Sequence, residues 1–124
     1  MNIIDEYLPH KKPVRFIKEL IEGGKNHSIS LVDFIETPTL SAVVEAAAQN
    51  VIFITSVNKD YDGGVLTRMK KVKRFKNLKI GTYRVESHIV AQIDNYANFK
   101  FVLSKDGETY TEGEINITMK ERIE

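Results

Sequence analysis

The stretch Thr37 to Val57, TPTLSAVVEAAAQNVIFITSV, decides the fold. Thr37-Pro38 supplies a helix cap and a first residue with its backbone already set, and Leu40 to Val57 is rich in Ala, Val and Ile. Leu40, Val43, Val44, Val51, Ile52, Ile54 and Val57, with the small Ala42, Ala46, Ala47 and Ala48, leave no broad charged face. A helix that is apolar nearly all round is buried, and about 20 residues of it span about 30 Å. The alanines let a flat neighbour approach the backbone, most simply a sheet.

Outside this helix the pattern turns to period two. Tyr83, Val85, Ile89, Ala91 and Ile93 alternate with Arg84, Glu86, His88 and Gln92, and Ala97, Phe99, Phe101 and Leu103 alternate with Asn98, Lys100 and Val102. These are half-buried strands. Asp94-Asn95 and Asp106-Gly107 fall between apolar runs as hairpin turns, and Ile115, Ile117 and Met119 mark a last strand. Upstream, Ile29 and Leu31 alternate with Ser28 and Ser30. Gly23-Gly24 and Gly63-Gly64 read as turns. Over Arg15 to Glu22 the spacing of Phe16, Ile17, Leu20 and Ile21 favours a helix, although the β-formers and the Gly-Gly stop also fit a strand. Strand-rich ends around one long buried helix make an α+β domain, an antiparallel sheet wrapped about the helix.

The 124 residues suffice for one domain, 1–124, and 42% apolar with 28% charged residues is ordinary for a globular chain. Without cysteine, thiol chemistry, disulfides and zinc ribbons are excluded. A net charge of +1 is far from the basic balance of a chain that grips nucleic acid over its whole surface. The first residues lack the apolar stretch of a signal peptide, so a cytoplasmic protein is expected. Val43 to Val57 is interrupted by Glu45, Gln49, Asn50, Thr55 and Ser56, which argues against membrane insertion.

Three segments then carry a resemblance: Tyr7-Leu8-Pro9-His10-Lys11-Lys12-Pro13, Val43-Val44-Glu45-Ala46-Ala47-Ala48-Gln49, and Arg74-Phe75-Lys76, followed by Lys105-Asp106-Gly107 to Met119. In this order they resemble the β-hydroxyacyl-acyl carrier protein dehydratases of the hotdog fold, lyases of fatty acid metabolism. The resemblance implies that Arg15 to Glu22 is the first strand, and a strand is expected there on that ground. It further implies a homodimer joined edge to edge, an interfacial tunnel, and an acyl thioester on acyl carrier protein or coenzyme A as ligand, with no cofactor. That family dehydrates a 3-hydroxyacyl thioester with a loop His before the helix and a carboxylate on the helix. Glu45 matches the carboxylate. The loop here is Val32-Asp33-Phe34-Ile35-Glu36-Thr37-Pro38, which contains no His, so the catalytic His has no counterpart and dehydratase turnover is expected to be very slow or absent.

Glu45 also stands out by itself, as the one ionisable side chain from Leu40 to Val57. A carboxyl in that setting suits general acid or base work, or else it reaches solvent or pairs across a dimer seam. Ser41 and Gln49, four residues either side, share its face and are candidates for substrate contact. From Met69 to Lys79, MKKVKRFKNLK, six of eleven residues are basic. Arg74 and Lys76 in this run either receive phosphate or an acidic carrier, or belong to a lysine-guarded strand edge. One aromatic, Phe75, offers no stacking ladder for nucleic acid. His10, His27 and His88 lie at no metal-ligand spacing and are expected to be structural, and no metal site is expected. Asp33 and Glu36 are further carboxylates for a hydrolytic reaction. The competing readings are an acyl thioesterase and a non-catalytic acyl-binding or interaction module.

Overall fold

The structure is a computed structural model that describes residues 16–57 and 61–121, with the side chains of 52–63 left aside. The opening motif Tyr7 to Pro13, with His10, lies outside the described residues. The elements run β1 (Ile17–Gly23), β2 (His27–Phe34), α1 (Leu40–Val57), β3 (Tyr61–Arg74), β4 (Gly81–Ile93), β5 (Tyr96–Lys105) and β6 (Glu108–Glu121). All strand pairs are antiparallel, in the order β1-β2-β4-β5-β6-β3. The helix contacts every strand, so the sheet curves around it. Val43, Ala46, Ala47 and Val51 of the helix and Val32, Val85, Phe99, Leu103 and Ile115 of the sheet are almost wholly removed from water.

The helix has the bounds that its apolar run marks, but its cap is Thr39, two residues after Thr37. The Ala42 N–H donates to Thr39 Oγ1 at 3.1 Å and the Val43 N–H to the Thr39 carbonyl at 3.1 Å. Thr39 therefore satisfies the first free amides. Residues 17–23 form a strand, as the resemblance implies and against their own spacing. β1 is an edge strand that leaves most of its residues exposed, so the helical spacing of its apolar residues is not enforced by burial.

Gly63-Gly64 is not a turn. It lies within β3, where a Cβ on Gly64 would come within 2.6 Å of Ile117 Cγ2 and 3.1 Å of the Thr118 carbonyl oxygen. The glycine permits close approach of β6, a role that in sequence looks the same as a breaker. The two hairpin turns stand where expected, with φ of 52° at Asp94 and of 53° and 78° at Asp106 and Gly107. Asp106-Gly107 has two successive left-handed residues and Asp94-Asn95 has one at its first position, both patterns that suit tight hairpins with right-handed strand twist.

On β2 the serines, not the isoleucine and leucine, face the helix. Ser28 and Ser30 are fully buried and donate to Asn50 Oδ1 at 2.9 and 2.6 Å. Asn50 Nδ2 donates in turn to the Ser28 carbonyl at 3.0 Å and to Ser87 Oγ at 2.9 Å. This closed polar cluster ties the helix to β2 and β4 without leaving the amide unsatisfied.

Candidate functional site

Two clefts among the described residues bear on the candidate residues. The first, of about 340 Å³, is bounded by Phe16, Phe34, Ile35, Glu36, Thr37, Pro38, Thr39 and Ala42. It is formed where β1 begins, β2 ends and the helix starts, and its walls are mostly apolar. The short Ile35 to Thr39 connection forms one side of it.

Ala42, Glu45 and Gln49 lie at i, i+3 and i+7 and so on one face of the helix. Ala42 lines the cleft, Glu45 follows one turn deeper and is half-buried, and Gln49 is 1% exposed. Gln49 Oε1 accepts the Phe16 N–H at 2.8 Å, which fixes the residue forming the opposite wall. Ser41 is exposed at the outer end of the stripe. The face thus runs from solvent at Ser41 past a half-buried carboxyl to a buried amide.

The second cleft, of about 530 Å³, is bounded by Arg74, Phe75, Lys76, Asn77, Lys79 and Tyr110. It lies in the connection from β3 to β4, beside the start of β6, and brings Arg74 and Lys76 together. The main chain here is held firmly. The Phe75 N–H donates to the Tyr110 carbonyl at 2.8 Å, and the Tyr83 hydroxyl both accepts from the Lys79 N–H at 3.0 Å and donates to the Lys79 carbonyl at 3.1 Å. Lys76 Nζ is 2.8 Å from Glu108 Oε2 and 6.0 Å from the centre of the Tyr110 ring. The hydrogen bond that Lys76 donates to Glu108, and then that carboxylate's charge, raise the Lys76 pKa above its usual value.

A row of aromatic rings joins the clefts. Phe16 meets Phe34 at 5.4 Å between ring centres, Phe34 meets Tyr83 at 5.7 Å, and Tyr83 meets Tyr110 at 5.2 Å. Phe16 and Phe34 wall the apolar cleft, and Tyr110 walls the basic one. These residues are scattered over nearly the whole chain, so no local pattern in the sequence links them.

The other candidates lie elsewhere. Asp33 accepts a hydrogen bond from Thr82 Oγ1 and sits 3.9 Å from Lys18 Nζ, on the sheet face turned away from the helix. Its place as a carboxylate for hydrolysis at the helix is therefore not supported, because strand parity sends it outward. Glu36 is at the rim of the apolar cleft. His27 pairs with Glu22 at 3.4 Å, and His88 lies on the outer face among Lys71, Lys73 and Lys100. Among the described residues no group of three or more His, Asp or Glu could hold a metal ion, and no helix is long and apolar enough to cross a membrane.

No protein-family model matches the sequence, and no curated protein matches it. Solved structures do match. The dehydratase heterocomplex ApeI:P of Xenorhabdus doucetiae is similar with 18% identity and a TM-score of 0.74, over 94% of this chain and 90% of that one. A protein of Streptococcus mutans UA159 bound to acetyl coenzyme A has 10% identity and a TM-score of 0.71, over 93% and 99%. A hypothetical thioesterase of Streptococcus pneumoniae TIGR4, solved with coenzyme A, has 10% identity and a TM-score of 0.69, over 86% and 88%. The chain has the hotdog fold. At such low identity the likeness fixes the architecture and leaves the chemistry to the residues present.

Proposed function

We propose that the protein binds an acyl thioester, with the acyl group in the apolar cleft and the anionic carrier on the basic one. The observation that carries this reading is the aromatic row Phe34, Tyr83 and Tyr110, which connects a pocket for an apolar chain to a cluster of cations. An elongated ligand with one greasy and one anionic end needs that pairing. Structures of the same fold that were solved with coenzyme A or acetyl coenzyme A support it. Arg74 and Lys76 hold the carrier, Ser41 is exposed beside the cleft-lining Ala42 and offers a polar contact, and Gln49 positions the wall through Phe16.

Glu45 is the group with chemistry to offer. With no histidine in the Phe34 to Leu40 connection, dehydration of a 3-hydroxyacyl thioester lacks its second proton-transfer residue. The half-buried place of Glu45, one turn beyond the cleft wall, favours hydrolysis as a second reading: Glu45 takes a proton from the water that attacks the thioester carbonyl, the C–S bond then breaks, and the proton passes to the departing thiolate. A protein that only binds the thioester is the remaining alternative.

The reading includes a homodimer. β3 is an edge strand with Val65 and Met69 half-exposed, and such an edge is stabilised when a second copy pairs with it. Native mass spectrometry of the purified protein tests both parts: a dimer with an acyl ligand bound is expected, and a ligand-free monomer that takes up no acyl thioester from a panel contradicts them.

A further inference from the structure

The basic cleft is concave, and its charges are only partly neutralised. Lys76 is paired with Glu108, whereas Arg74 and Lys79 make no ion pair among the described residues. Phe75 is 54% exposed although its own backbone is pinned to Tyr110, so a flat apolar ring is displayed on a fixed frame. Asn77 adds a side-chain amide at the same rim. A folded acidic partner needs a broad, accessible positive surface. Here the cations surround a volume in the range of small-molecule sites, with a ring to stack on and an amide to read polar edges.

We propose that this cleft takes the phosphoadenosine end of coenzyme A, so that the carrier of the acyl group is the free coenzyme and not a carrier protein. The proposal rests on the acyl-thioester reading given above. Arg74 and Lys79 receive phosphate oxygens, Arg74 with its planar fork of donors. The purine stacks on Phe75, and Asn77 hydrogen bonds to its edge. Glu108 holds Lys76 against Tyr110 and limits how much negative charge the cleft accepts on that side.

Three probes separate the possibilities when titrated into the full chain by calorimetry: decanoyl-coenzyme A, decanoyl-pantetheine, and adenosine 3′,5′-bisphosphate. Decanoyl-coenzyme A is expected to bind at least about tenfold tighter than decanoyl-pantetheine. The bisphosphate should compete with it, and Phe75→Ala should remove about tenfold of the advantage. Arg74→Ser with Lys79→Ser should do the same and flatten the salt dependence, with the melting temperature unchanged. Equal affinity for the two thioesters, or tighter binding of a decanoyl carrier protein than of decanoyl-coenzyme A, overturns the nucleotide site and leaves acyl binding intact. If decanoyl-pantetheine fails to bind while the bisphosphate is held in a Phe75-dependent way, the acyl reading falls and the nucleotide site stands.

Discussion

The rings of Tyr83 and Tyr110 meet edge to face, 5.2 Å between centres and with their planes at 83°. Tyr83 is 2% exposed and belongs to the core, whereas Tyr110 is half-buried and belongs to the basic cleft. Core packing therefore sets the position of a surface site, and the Tyr83 hydroxyl extends that control to the backbone of Lys79.

Tyr83→Phe keeps the ring contact and removes both hydrogen bonds to Lys79. Stability should fall by about 1–2 kcal/mol, read from urea unfolding. Affinity for an anionic thioester should fall as well, because Lys79 is no longer held at the cleft. Full retention of both would mean that the hydroxyl contributes nothing to the site.

Asn50→Ala leaves Ser28, Ser30 and Ser87 without their partner in the core. A loss of about 3 kcal/mol is expected, since several buried polar groups become unsatisfied together. Adding Ser28→Ala, Ser30→Ala and Ser87→Ala should recover part of it. A double-mutant cycle with no coupling between Asn50 and Ser30 would contradict the cluster.

Thr111 is fully buried and its hydroxyl has no hydrogen-bond partner among the described residues. Thr111→Val keeps the shape and removes that group, so stability should hold or rise by about 1 kcal/mol in thermal unfolding. A clear loss would show that the hydroxyl is bonded in solution.

The Lys76 to Glu108 pair has a definite pH sign. Glu108 raises the lysine's pKa, so the pair's contribution is present below the unfolded value of 10.5 and is lost as pH rises through the raised folded value. Glu108→Gln removes the competing carboxylate. Affinity for an anionic thioester at neutral pH should rise roughly twofold to fivefold at low salt, and the gain should shrink as salt is added. An unchanged affinity would place Lys76 outside the ligand's reach.

The length of the helix and both hairpin turns were legible because each depends on local residues: the apolar run from Leu40 to Val57, Asp94-Asn95, and Asp106-Gly107. β1 was legible only through the resemblance, since an exposed edge strand imposes no alternation on Phe16, Ile17, Leu20 and Ile21. The Gly63-Gly64 pair was misleading, because close approach to Ile117 and a tight turn both call for a residue without a Cβ. In the site, Glu45, Arg74 and Lys76 stood out by charge against their surroundings. Phe16, Phe34, Tyr83 and Tyr110 did not, since apolar rings in strands look like any other core until the topology brings β1, β2, β4 and β6 together.

Glu45 separates catalysis from binding. If the protein turns over a thioester, Glu45→Gln should cost about 100-fold or more in kcat, with affinity nearly unchanged. Rapid dehydration of a 3-hydroxyacyl thioester by the unmodified protein would refute the inference drawn from the missing histidine.

Acyl binding in the cleft beside the helix start is tested most directly by the affinity for a decanoyl thioester, measured by calorimetry on the unmodified protein and on Ala42→Trp. Ala42 faces this cleft, and a tryptophan there occupies the space assigned to the chain. Micromolar binding by the unmodified protein and a loss of at least about tenfold in Ala42→Trp, at equal fold content by circular dichroism, is the expected result. No binding by the unmodified protein, or equal binding by both, would contradict it.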